Sequence, residues 1–214
     1  LSGKTELSLF SLLYWGEVLD GKLQSDSTVS AAPKQNDAGS SLITIASANV
    51  LTLFPADDSE AGSSRRLLLA DVFHERSLKI VGVQEGRARK EGVINCGNYL
   101  MVVASATERG MCGVELWVHK SIAPDLSRVW RLYGDPRLLI VKLTLLGTDV
   151  MCVVGHGPST TERTEVSNAW IDEWWAELTA HMHRLRCDSL PIVCMLDANA
   201  RVGSIPSIYC GDKE

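Results

Sequence analysis

The stretch that most constrains how this chain folds is Leu190–Ser204, LPIVCMLDANARVGS. From Leu190 to Leu196 it is apolar, rich in Ile, Val and Leu, with no polar alternation, which suits a strand buried on both faces. The run stops at Asp197-Ala198-Asn199, and Arg201-Val202-Gly203 turns the chain away. Residues two apart in an extended chain point the same way, so an acid and an amide project together from the end of a core strand. Two readings fit. One is an Asx-type turn, in which Asp197 and Asn199 bond nearby backbone. The other is a carboxylate and a carboxamide set to meet a hard, oxygen-seeking cation or a phosphate.

The same pattern recurs upstream. Leu42–Ala48 reads as a strand ending at Asn49, Leu78–Val83 as one ending at Gln84-Glu85, and Asp149–Gly155 as one ending at His156. Singly, Glu85 reads equally as a surface residue after a buried strand and His156 as a loop imidazole. Strand ends of this kind converging on one edge would line a cleft with an acid, amides and an imidazole. Glu85 is the natural carboxylate for magnesium, which keeps most of its waters and needs only one or two protein carboxylates. The absence of His-x-x-His spacing, and of a second close carboxylate on the Asp197 strand, argues against zinc.

Further strands are predicted at Tyr99–Ala104 and Gly113–His119. A hairpin follows, Arg137–Leu145 and Asp149–Gly155, turning at Leu146-Gly147-Thr148. Ser63 or Ser64 is placed to cap a helix running to about Arg76, with Leu67, Leu68, Val72 and Phe73 on one side. The longest helix is predicted over about Thr161–Arg186. There Val166, Trp170, Trp174 and Leu178 form a stripe suited to packing on a sheet. His181 and His183, two apart, fall on different faces of that helix and do not share a metal.

Residues 1–20 carry Leu, Phe, Tyr and Trp in a pattern that a helix or a packing arm can use. Residues 21–41 turn small and polar, a linker composition. The division expected is an arm and linker over 1–41 and one domain over 42–214. The first residue is Leu, so the true start is expected to lie upstream. Leu7–Leu13 lacks the cleavage site of a signal peptide.

Composition excludes several classes. A net charge of −5 argues against a surface that coats nucleic acid, though not against an acidic metal pocket touching DNA locally. No apolar run reaches the length of a membrane span. The six cysteines form no Cys-x-x-Cys pair, which fits reduced, core-filling thiols of an intracellular protein.

The order strand–Asn, strand–Gln-Glu, strand–His-Gly-Pro, helix with Trp-Trp, strand–Asp-Ala-Asn resembles the endonuclease/exonuclease/phosphatase superfamily. Within it, the nearest resemblance is to the apurinic-endonuclease-like domains of LINE-type retrotransposons. It covers about Leu42–Ser204 and rests on Val83-Gln84-Glu85 and Leu196-Asp197-Ala198-Asn199, supported by Gly113-Val114 and His156-Gly157-Pro158. The resemblance implies a four-layer α/β sandwich, two mixed β-sheets flanked by helices. It also implies phosphodiester hydrolysis, usually of DNA, with Mg2+ (or Mn2+). Carried over, Glu85 is the principal metal ligand and Asn49 its neighbour. Asp197 orients the nucleophile or helps the leaving oxygen, Asn199 steadies the transition-state phosphate, and His156 sits beside the scissile phosphate. Arg87 and Arg89 are then candidate contacts to a DNA backbone, and a nuclear site of action is implied.

Two departures stand out. Leu51 occupies a position where many apurinic endonucleases have Asp, and no Ser-Asp-His signature follows Asn199. A C-terminally incomplete chain, an incomplete second sheet and impaired turnover are therefore expected. The other readings are the same fold acting on an inositol phosphate or lipid phosphodiester, and a non-catalytic remnant of a retroelement.

Overall fold

The computed structural model describes residues 13–15, 43–50, 60–123, 125–145, 147–158, 165–186 and 190–199. The linker, the boundary near Ser41, Leu51, the expected helix start at Thr161 and residues 201–204 lie outside them. The strands are β1 (Leu13–Trp15), β2 (Ile45–Asn49), β3 (Ile80–Gln84), β4 (Gly92–Cys96), β5 (Tyr99–Ala104), β6 (Val114–His119), β7 (Val129–Gly134), β8 (Leu138–Leu145), β9 (Thr148–His156) and β10 (Ile192–Asp197). The helices are α1 (Glu60–Glu75) and α2 (Glu165–Arg186).

One sheet runs β2-β3-β6-β5-β4 and the other β10-β9-β8-β7, with β1 added at the outer edge of β10. Both are mixed: β2 lies parallel to β3 and β10 parallel to β9, while the β3–β6 and β8–β9 pairs are antiparallel. Residues 13–15 are extended and not helical, and pair antiparallel with Ile192–Cys194, which agrees with the packing-arm reading of this stretch.

Because side chains alternate along a strand, each sheet has two apolar faces to cover. Val114, Leu116 and Val118 of β6 meet Leu139, Val141 and Leu143 of β8 between the sheets. On the outer face of the first sheet, Val81, Met101 and Trp117 pack on Leu69, Ala70 and Phe73 of α1. On the outer face of the second, Ile140, Val153 and Ile192 pack on Trp174, Leu178 and Leu185 of α2. The result is a four-layer α/β sandwich. Each large side chain buried in it contributes roughly 1.5–3 kcal/mol.

Both helices differ from expectation in detail. α1 begins at Glu60, ahead of Ser63 and Ser64. It buries Arg66, Leu69, Ala70 and Phe73, leaving Leu67 and Leu68 exposed. On α2 the buried stripe is Trp174, Leu178 and Leu185, and Trp170 is exposed beneath the Arg137 guanidinium. The four described cysteines, Cys96, Cys112, Cys152 and Cys194, are buried and free. Burial raises their thiol pKa values, to about 12 for Cys152 and about 11 for Cys194. No described helix is long and apolar enough to cross a membrane.

Candidate functional site

Two parallel pairs, one from each sheet, end together. Asn49 lies beside Gln84 at the ends of β2 and β3. Asp197 lies beside His156 at the ends of β10 and β9. Gln84 joins the two sheets. Its buried amide donates to the Met195 carbonyl of β10 at 3.0 Å and to Ser47 Oγ of β2 at 3.1 Å. Close sheet approach near this clamp requires Gly82, where a Cβ would stand 2.5 Å from that of Met195.

Beyond the clamp the chain turns sharply. Glu85 and Arg87 both have positive φ, 56° and 55°, a conformation that costs non-glycine residues and collects at functional sites. Gly86 N–H donates to Gly113 O and Arg87 N–H to Cys112 O, each at 3.1 Å. Gly113, at φ 88°, leaves room for this turn, since a Cβ there would meet Arg87 N at 2.9 Å.

The side chains meet at the rim. Asn49 Nδ2 donates to Asp197 Oδ2 at 2.7 Å and to Glu85 Oε1 at 3.2 Å, so one amide bridges two carboxylates from different sheets. His156 Nε2 stands 3.7 Å from Glu85 Oε1 and 4.0 Å from Asp197 Oδ2, while its Nδ1 is buried without a partner. Asp197 Oδ1 accepts the Asn199 N–H at 3.2 Å, and Asn199 Nδ2 donates to Gly157 O at 2.8 Å. The Asx-type turn and the carboxylate facing the cleft therefore coexist on the two oxygens of Asp197.

Solved structures resemble this chain. They include TDP2 from Caenorhabditis elegans, at 15% identity, TM-score 0.45, over 70% of this chain and 47% of that one. The endonuclease domain of TRAS1, a telomere-specific non-LTR retrotransposon, gives 14% identity and TM-score 0.44 over 64% of this chain and 54% of that one. AP endonuclease LMAP from Leishmania major gives 11% identity and TM-score 0.36 over 53% of this chain and 40% of that one. All three have the endonuclease/exonuclease/phosphatase-like fold. This chain spans about half the length of the structures it matches. No family model and no curated protein matches it. Identities this low leave the chemistry to the side chains themselves.

Electrostatics at the rim are mixed. Burial lowers the His156 pKa, and Arg137 and Arg87 push it the same way against the opposing pull of Asp197 and Glu85. The imidazole is therefore neutral at pH 7, able to hydrogen bond without carrying charge. Arg137 Nη1 holds the carbonyls of His156 and Gly157, each at 3.1 Å, fixing the segment that carries the imidazole.

Among the described residues no group of three or more His, Cys, Asp or Glu side chains forms a metal cage. A hard divalent cation needs no such cage, because magnesium is held by one or two carboxylates and retains water. Glu85 and Asp197, bridged through Asn49, fit that donor set and not a closed four-ligand zinc site.

Of the residues singled out in the sequence, Asn49, Glu85, His156, Asp197 and Asn199 come together. Arg89 is exposed, and Arg87 is turned onto Glu85, its Nη2 3.1 Å from Oε2. Sequence reasoning missed Arg137 and the clamping role of Gln84. A glutamine in an otherwise apolar run was the available signal for the second. Arg137 carries none, because its partners are backbone carbonyls far along the chain.

Proposed function

We propose that this rim is a divalent-metal-dependent phosphodiesterase site acting on DNA, in the manner of a retrotransposon endonuclease. Glu85 and Asn49 hold Mg2+ or Mn2+, which when bound neutralises charge on the phosphate. Asp197 orients the attacking water or assists the leaving oxygen, and Asn199 and the neutral His156 bond phosphate oxygens. Phosphoryl transfer is mostly positioning and charge neutralisation; Asn49, His156 and Asp197 end buried strands, and Glu85 and Asn199 follow within two residues of such ends. The observation that carries the reading is the single Asn49 amide bridging the Glu85 and Asp197 carboxylates from two sheets, with His156 beside both. A nuclear site of action is implied only by the resemblance to retrotransposon endonucleases.

The test is nicking of supercoiled plasmid with Mg2+, run beside Mn2+ titration calorimetry, on the native chain and Glu85→Gln. Metal-dependent nicking is expected to fall by about two orders of magnitude or more in the variant, with loss of the calorimetric signal. Undiminished nicking by Glu85→Gln would remove Glu85 from the metal role. Cleavage of an inositol phosphodiester but not of plasmid would move the substrate class while keeping the site.

A further inference from the structure

Among the described residues Arg87 makes one polar contact to a side chain, and it is with the carboxylate assigned above to the metal. Its Nη2 lies 3.1 Å from Glu85 Oε2, while the other oxygen, Oε1, faces Asn49 and His156. A guanidinium has five N–H donors in a planar fork. Here the Nε is buried with no acceptor, so the hold on Glu85 is one-armed. The backbone beneath it is fixed, by the Arg87 N–H bond to Cys112 O and by close packing on Gly113. Only the side chain is free to swing, and at 37% exposure it has a route into solvent.

We propose that Arg87 is a resident counter-ion that competes with a divalent cation for Glu85, setting the cation concentration at which the site loads. The inference rests on the metal role of Glu85 proposed above. A carboxylate beside a second carboxylate repels it; the Asn49 amide bridges Glu85 and Asp197, and the Arg87 guanidinium offsets charge on Glu85. A dication would bring twice the charge of the guanidinium, which holds one oxygen of Glu85. Ion pairs as exposed as this one are weak and screened by salt, so exchange is readily reversible. The positive charge of Arg87 opposes loading, and entry of the cation releases the guanidinium to the rim. The charge of Glu85 is thus partly offset in the metal-free protein, at the cost of a weaker hold on metal.

The experiment is Mn2+ titration calorimetry on the full chain at low salt, comparing the native protein with Arg87→Met, Arg87→Lys and Glu85→Gln. Removing the competing charge is expected to tighten Mn2+ binding in Arg87→Met by about three- to tenfold. Arg87→Lys, which keeps charge but loses the planar fork, falls between the two, and added KCl narrows the gap. Equal or weaker Mn2+ binding by Arg87→Met, with native binding intact and lost in Glu85→Gln, overturns the competition and leaves the metal role of Glu85 standing. Absence of Mn2+ binding in both the native chain and Arg87→Met overturns the metal reading, and the competition with it. Thermal unfolding of each variant without metal separates either result from misfolding.

Discussion

Two glutamates, Glu115 within β6 and Glu85 just past the end of β3 in the same sheet, each pair with an arginine and one further N–H donor in quite different settings. Glu115, on β6, accepts from Arg66 Nη2 at 2.9 Å and from Trp117 Nε1 at 2.8 Å. Glu85 accepts from Arg87 Nη2 at 3.1 Å and from Asn49 Nδ2 at 3.2 Å. Glu115 is fully buried beneath α1, in a regular strand. Glu85 is strained at φ 56°, partly open, and shares its amide donor with Asp197. An arginine beside an acid thus says little by itself. Complete burial with short bonds makes a structural pair; strain, longer bonds and a second acid suit the exchange of partners proposed above.

The comparison is broken most severely at Glu115. Glu115→Ala leaves the Arg66 guanidinium in the interior without its carboxylate, and removing one member of a buried pair costs about 3–5 kcal/mol. Urea unfolding should show the midpoint falling without a change in slope; a loss below about 1 kcal/mol would mean that water or another partner satisfies Arg66 and the pair is not closed. Gly86 joins the two glutamates, since a Cβ there would stand 2.6 Å from Glu115 Oε1, one residue after Glu85. Gly86→Ala is expected to cost about 1–3 kcal/mol by overpacking and to weaken Mn2+ binding by displacing Glu85. Unchanged Mn2+ affinity would separate the two carboxylates mechanically. At Glu85 itself, Glu85→Gln should stay within about 1 kcal/mol of native stability while nicking is lost.

That contrast was half legible in the sequence. Asn49, Glu85, His156 and Asp197 each end an apolar run, and parallel pairing of neighbouring strands brings such ends together, so the rim is visible from local pattern. Glu115 was not: in VELWVH it reads as one charge in a buried strand, and its partner Arg66 lies 49 residues away. The face of α1 was misread for the same reason. Leu67 and Leu68 look like a core-facing pair, but the helix rotates to bring Arg66 onto Glu115 and leaves both leucines exposed. β4 and β7 were missed because they are edge strands of alternating half-exposed residues, weak in apolar signal. The αL conformations fall on Glu85 and Arg87, on either side of Gly86 and not on it, so the glycine does not mark them; Arg87 packs against Gly113.

The two buried histidines of the sandwich repeat the lesson, and the smallest effect tests it. His119 is saturated. Its Nδ1 accepts the Ser121 N–H at 3.1 Å and faces Ser121 Oγ at 2.7 Å, and its Nε2 lies 3.0 Å from His74 Nδ1. Since Nδ1 accepts, the proton of the neutral ring is on Nε2 and is donated to His74. His156, by contrast, has one nitrogen without a partner and the other beyond hydrogen-bond range of two acids. Burial lowers the His119 pKa below its ordinary 6.5, with Lys79 and His74 acting in the same direction. The unfolded chain therefore binds the proton more readily, and stability rises with pH below 6.5 and levels off above it. The contribution is present above 6.5 and is lost as pH falls from there through the folded-state pKa. His119→Gln should cost about 1 kcal/mol near pH 7.5, the ordinary worth of a hydrogen bond, and should flatten the rise of stability between about pH 5 and 7. His156 and His181 are also lowered by burial, so a residual slope remains. Urea midpoints measured across that range decide it: a slope in His119→Gln as steep as the native one would mean that the saturated histidine titrates no differently when folded, and that a closed hydrogen-bond network does not by itself hold an imidazole neutral.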